Sequence, residues 1–192
     1  MFEDTKTAGN VIGKIEADKR SEVKEKELLE KINASLAELG STAKWKGLPD
    51  FKEEYASLRD KKITIVDDGY EILQNQLPDL MVATDGKASF VHYKNESIEK
   101  LIEQIIAKNA DIVLMDYTLS EDVTGTQVIK SLMEAGFTGK IIGYSSSKNS
   151  NEALIKSGAI GAVDKSAYNQ ELYESDSVRL LGELIKNLQE ER

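Results

Sequence analysis

Residues 63–69, ITIVDDG, and residues 111–120, DIVLMDYTLS, decide how this chain reads. In each, a short apolar run stops on aspartate: Asp67 and Asp68 follow 63–66, and Asp116 follows 112–115. Apolar runs this short, rich in Ile and Val and bounded by polar turns, read as strands buried on both faces. Three more occur, at 89–93, 141–144 and 160–163. Segments of helical periodicity lie between and after them, at 70–82, 97–108, 124–135, 151–156 and 175–188. The alternation predicts an α/β fold, a doubly wound five-stranded parallel sheet whose right-handed crossovers lay helices on both faces. In such a sheet the carboxyl ends of the strands build the site. Asp67, Asp68 and Asp116 are therefore expected to converge although they are far apart in sequence.

Unpaired carboxylates held close together raise one another's pKa and weaken the fold, so a cation is expected among them. Oxygen-only ligands favour a hard ion, and Mg²⁺, which takes few protein carboxylates and keeps several waters, suits the set. A metal beside a carboxylate is suited to phosphoryl transfer: the ion neutralises charge on the incoming oxygens while an aspartate oxygen attacks in line. A hydroxyl and a cation should hold the remaining phosphoryl oxygens. The next two strand ends offer Ser145, after 141–144, and Lys165, after 160–163.

The order Asp-Asp, Asp, Ser, Lys at successive strand ends resembles the response-regulator receiver family of two-component signalling. The resemblance is carried by ITIVDDG at 63–69, DIVLMDYTLS at 111–120, TGTQVIKSL at 124–132, KIIGYSSS at 140–147 and SGAIGAVDKS at 157–166. It implies a flavodoxin-like receiver fold over 62–192, preceded by a helical extension over 1–61. It also implies that Asp116 is the phosphoacceptor, that Asp68 binds Mg²⁺ directly and Asp67 partly through water, and that the Thr118 carbonyl completes the protein ligands. Ser145 would take one phosphoryl oxygen and Lys165 another. The implied donor is a histidine kinase or phosphotransfer protein, and the chain would be a signalling switch rather than an enzyme. An interaction scaffold with this fold that works without phosphorylation is the alternative.

Several positions depart from the family pattern. Ser166 stands where Pro usually follows the lysine. A cis bond before a non-proline residue costs about 2.5–4 kcal/mol, so a trans loop is expected after Lys165. Ala162 replaces the aromatic residue that often moves with the hydroxyl, and Ser120 replaces a common Pro. Thr118 and Ser147 match positions that in this family tune hydrolysis of the acyl phosphate, and both are small and polar here. Leu77, Pro78 and Asp79 interrupt the helical pattern of 70–82, and Asp85–Gly86 adds a turn before the second strand.

The first sixty residues are rich in Lys, Glu, Ala and Leu and read as helix. Leu29, Ile32, Leu36 and Leu39 make one apolar stripe, Val11, Ile12 and Ile15 suggest a further turn or two, and 51–58 suggests a short helix with Phe51, Tyr55 and Leu58 on one face. This part either packs on the main domain or serves as a homodimerisation or partner-docking helix. Trp45 is expected to anchor it, and His92 to be structural.

The chain has 40% hydrophobic residues, enough for a core, and no Cys, which removes disulfides and thiolate sites. The formal charge of −9 falls entirely on 63–192, because 1–62 carries 13 basic and 13 acidic residues. Such a balance repels a phosphate backbone, so no direct nucleic-acid contact is expected. No apolar run spans a membrane and residues 1–10 lack a signal-peptide layout, which predicts a cytoplasmic protein. No Gly-rich phosphate loop followed by Lys-Ser or Lys-Thr occurs, against a nucleotide-triphosphate enzyme. An aspartate-nucleophile phosphatase would want Asp where Thr118 stands.

Overall fold

The computed structural model describes the backbone of residues 4–169 and 174–190, and the side chains of 21–167 and 176–190. Five parallel strands form one sheet: β1 (Ile63–Asp67), β2 (Ala88–His92), β3 (Ile112–Met115), β4 (Lys140–Tyr144) and β5 (Ala162–Val163), in the order β2-β1-β3-β4-β5. The strand order reverses between β1 and β3, and there Val66 sits opposite Met115, so that Asp67 and Asp116 leave the sheet side by side. The Asp116 amide donates to the Val66 carbonyl at 3.1 Å. An open parallel sheet places its site at such a reversal.

Alternate side chains of each strand enter opposite layers, as the two-residue period of a strand requires. Ile63, Ile65, Ile112, Leu114, Ile142 and Tyr144 point into one layer, covered by α2 (Tyr70–Ala83), α6 (Ser177–Glu190) and the end of α1 (Asp4–Leu39). Val66, Val113, Met115 and Ile141 point into the other, covered by α3 (Ile98–Ala107), α4 (Gly125–Glu134) and α5 (Lys148–Lys156). The five strands and the helices between them stand where the sequence pattern puts them, with end shifts. The fifth strand keeps only Ala162 and Val163 of the expected 160–163, although the Ile160 amide still donates to the Ile141 carbonyl at 2.8 Å and the Gly161 carbonyl accepts from the Gly143 amide at 2.9 Å. α5 starts three residues early, at Lys148, because Ser147 caps it by accepting from the Ser150 amide at 3.3 Å.

Pro78 does not break its helix: α2 runs through it to Ala83. Burial of Leu73, Leu77, Leu80 and Met81 offsets the roughly 3 kcal/mol that a mid-helix proline costs. Asp85 and Gly86, both with positive φ, form the turn before β2. A second, two-stranded antiparallel sheet, β6 (Tyr168–Asn169) with β7 (Glu174–Ser175), gave no signal in the sequence, because two residues show no period.

The N-terminal helix is one element of 36 residues rather than separate turns. At 1.5 Å per residue it is about 54 Å long, and among its residues whose side chains are described only the last turns are covered. Ile32, Leu36 and Leu39 are buried in the α2–α6 layer, with Leu28 packed beside them. Ser21 to Glu27 are all exposed. Val11, Ile12 and Ile15 lie on the helix backbone, but their side chains fall outside the described residues. The segment after Pro49 forms a 3-10 helix (Glu53–Leu58) that buries Tyr55 and Leu58 and leaves Phe51 44% exposed. Trp45 packs on the same layer, and the Asn33 side chain binds its backbone amide at 2.8 Å and carbonyl at 3.1 Å. No helix among the described residues is long and apolar enough to cross a membrane.

Candidate functional site

Asp67 is the last residue of β1, Asp68 the next, and Asp116 follows β3. One carboxylate oxygen from each lies within 4.8 Å of the others. Asp67 and Asp116 are buried and Asp68 is exposed, so the cluster opens to solvent on the Asp68 side. A cleft lined by Asp68, Tyr93, Asn95, Leu119, Ser120 and Glu121 continues from it.

Lys165 reaches back from the end of β5 and closes the inner side. Its Nζ lies 3.0 Å from Asp67 Oδ2 and 2.9 Å from Asp116 Oδ1. Burial pushes the Asp116 carboxyl up to about 6, and the neighbouring Asp67 charge adds to the rise, while Lys165 opposes it. Burial likewise raises Asp67, again against Lys165 and against the Gly69 amide, which donates to Asp67 Oδ1 at 2.8 Å. Burial works to lower the Lys165 ammonium, but the two aspartates outweigh it and hold its pKa above the ordinary value. Two acids share one ammonium, and the pocket retains an excess of negative charge. The donors are all oxygen and one face is open to water, which fits Mg²⁺ better than a softer ion.

Ser145 follows β4 and is 6% exposed. Its Oγ accepts from the Ser147 amide at 3.4 Å, and its carbonyl accepts from the Lys165 amide at 3.4 Å. Thr118 is exposed, in a loop closed by an antiparallel bridge to Thr124. Among the described residues no peptide bond is cis, so the Lys165–Ser166 bond is trans. Asp164 organises that loop instead, its Oδ1 accepting from the Ser166 amide at 2.8 Å and the Ser166 hydroxyl at 2.7 Å.

Two residues near the site drew no role from the sequence. His92, in register with Asp67 across the β1–β2 pair, places Nε2 3.1 Å from the Asp68 carbonyl. Its position opposite Asp67 in neighbouring strands was the available signal. Asn151, in the first turn of α5, binds the Ser145 backbone. Nothing in a polar run of Ser, Lys and Asn singles it out.

No family model matches the sequence. Transcriptional regulatory protein ComA of Bacillus subtilis (strain 168) is 26% identical over 127 residues, which cover 65% of this chain and 58% of that protein. The match thus spans little more than half of the relative. The receiver domain of the histidine kinase CKI1 from Arabidopsis thaliana, complexed with Mg²⁺ and BeF₃⁻, superposes with a TM-score of 0.53 at 16% identity, over 71% of this chain and 95% of that one. The same domain complexed with Mg²⁺ alone gives 0.52 at 16% identity, over 73% and 97%. With its strand order, its acidic cluster at the β1–β3 reversal and its sequence similarity to a response regulator, this chain has the fold of a response-regulator receiver domain.

Proposed function

We propose that the protein is a cytoplasmic response regulator that receives a phosphoryl group on Asp116 from a histidine kinase or phosphotransfer protein. The observation that carries this is the convergence of three aspartates, with oxygens within 4.8 Å, beside a lysine that bridges two of them. Asp67, Asp68 and Asp116, with the Thr118 backbone carbonyl, would hold Mg²⁺. When bound, the ion supplies positive charge to the phosphoryl oxygens and neutralises the acids.

In the transfer, an Asp116 carboxylate oxygen forms a bond to phosphorus as the donor's P–N bond breaks, and the donor imidazole keeps the electron pair and takes up a proton. The product is an acyl phosphate. Lys165, whose Nζ lies 2.9 Å from Asp116 Oδ1, would pair with a phosphoryl oxygen, and the Ser145 hydroxyl would donate to another. The domain is a signalling element with at most intrinsic autophosphorylation and autodephosphorylation.

Two parts of the chain divide the work: residues 62–192 carry the switch, and 1–61 carry the contacts that follow from it. The exposed stretch from Ser21 to Glu27, with Val23 56% open, offers α1 to a second copy or an output protein. Output runs through protein contacts rather than nucleic acid, since the excess charge of 63–192 is negative.

Acetyl phosphate with Mg²⁺ should phosphorylate the wild type, and beryllofluoride should bind it, while Asp116→Ala, folded by circular dichroism, should do neither. Equal behaviour of the two proteins removes the proposal. If Asp116→Asn leaves the affinity for an output partner unchanged, the phosphorylation-independent scaffold is the better description.

A further inference from the structure

The pairing of β4 with β5 ends before the chemistry begins. Only Gly143↔Ala162 and Tyr144↔Val163 are in register, so the ladder stops one residue short of Ser145 and two short of Lys165. The sheet itself does not fix the spacing between the hydroxyl and the ammonium. One side chain ties the two loops, beside a single long backbone contact. Asn151 Oδ1 accepts from the Ser145 amide at 3.0 Å, and Asn151 Nδ2 donates to the Ser145 carbonyl at 2.8 Å and to the Val163 carbonyl at 3.4 Å. A primary amide has the one acceptor and two donors this requires. The Asn151 amide in turn donates to the Ser147 carbonyl at 2.9 Å, which seats the residue in the first turn of α5.

We propose that Asn151 is a positioning residue for phosphoryl transfer: its side chain continues the β4–β5 connection past the end of the ladder and holds Ser145 and Lys165 at a fixed spacing around Asp116. The inference rests on the phosphoacceptor reading given above. Asn151 touches neither the acids nor the incoming group, and it acts through the backbone of the two loops. The Lys165 amide, 3.4 Å from the same Ser145 carbonyl that Asn151 binds, joins the loops a second time. The contact is marginal alone, and Asn151 orients the carbonyl that accepts it.

Asn151→Ala removes all three bonds. Asn151→Asp keeps the shape and the acceptor, loses both donors and sets a carboxylate against two carbonyls. In either variant the three acids stay at the ends of β1 and β3, so Mg²⁺ affinity should remain within roughly twofold of wild type. The rate of phosphorylation by acetyl phosphate and the affinity for beryllofluoride should each fall by about tenfold or more. Amide exchange at Ser145 and Lys165 should accelerate, while Gly69 and Asp116, whose amides bond within the β1–β3 end of the site, keep their rates.

Wild-type phosphorylation in both variants would overturn the assignment. A matching loss of Mg²⁺ affinity and melting temperature would overturn it too, because a general structural role predicts that pattern. If wild type and Asp116→Asn prove alike toward acetyl phosphate, the phosphoacceptor reading fails separately. The tie between the loops then stands if Ser145 and Lys165 still exchange faster in both variants, and falls if they do not.

Discussion

Asp116 carries a proton more readily than a surface aspartate does, and this has consequences at the scale of one residue. Its pKa, pushed up to about 6 by burial and by Asp67, lies above the value in an unfolded chain, so protonation favours the fold. That contribution is fully present below the unfolded value and is lost as pH rises through about 6. Without Mg²⁺, Asp116→Asn, which cannot ionise, should gain stability relative to wild type as pH rises from 5 to 7, by roughly 1–3 kcal/mol. Urea titrations at several pH values would show a flat difference if Asp116 did not titrate there. Mg²⁺ requires the ionised acid, so its apparent affinity should fall about tenfold per pH unit below that point, which calorimetric titration can follow. Lys165→Ala leaves Asp67 and Asp116 without their shared ammonium. It should destabilise the metal-free protein by about 3 kcal/mol at neutral pH, with a smaller effect in saturating Mg²⁺. An equal loss with and without the ion would count against a shared role in charge compensation.

Elements meet at two glycines. Gly125 opens α4 with its amide donating to the Tyr117 carbonyl at 2.7 Å, and a Cβ there would run into the Asp116 carbonyl. Gly182 brings α6 against the 3-10 helix, where Ser57 Oγ donates to the Gly182 carbonyl at 2.6 Å and a Cβ would strike the Glu54 carbonyl. Both Gly→Ala changes should destabilise by about 1–3 kcal/mol, as overpacking does. Only Gly125→Ala should also slow phosphorylation, because only there does the displaced backbone carry Asp116. Along α1, Ile32→Ala and Leu36→Ala, at positions with 0% exposure, should each cost about 2–5 kcal/mol. Val23→Ala, at 56% exposure, should stay within about 0.5 kcal/mol. Denaturant unfolding of the three variants decides whether α1 is attached as described.

For the whole molecule, the layer that holds α1, the 3-10 helix and α6 to the sheet forms a single apolar cluster with Ile63, Ile65 and Leu114. A protein with its exposed residues 21–27 replaced by alanine should melt within a few degrees of the wild type. One lacking 1–60 should lose cooperative unfolding, since Ile32, Leu36, Leu39, Tyr55 and Leu58 would leave a bare face on α2 and α6. Sedimentation of the full chain with and without beryllofluoride would then test whether phosphorylation reaches α1. A change in association state that Asp116→Asn abolishes is expected if it does.

Strand runs and the acids that end them were legible because a buried strand must be apolar along its length and a turn must follow it. The chain order therefore determined the five strands, the doubly wound fold and the candidacy of Asp67, Asp68, Asp116, Ser145 and Lys165. It left α1 open between packing and docking, since a stripe of Leu and Ile looks the same whether a sheet layer or a second helix covers it. It read Pro78 as an interruption, because local propensity carries no information about the burial that overrides it. Only the tertiary structure decided which ammonium lies between Asp67 and Asp116, that the last turns of α1 belong to the core, and that Asn151 bridges two loops. Each of these depends on distances between residues remote in sequence, and such distances are set by packing and register rather than by the local pattern of side chains.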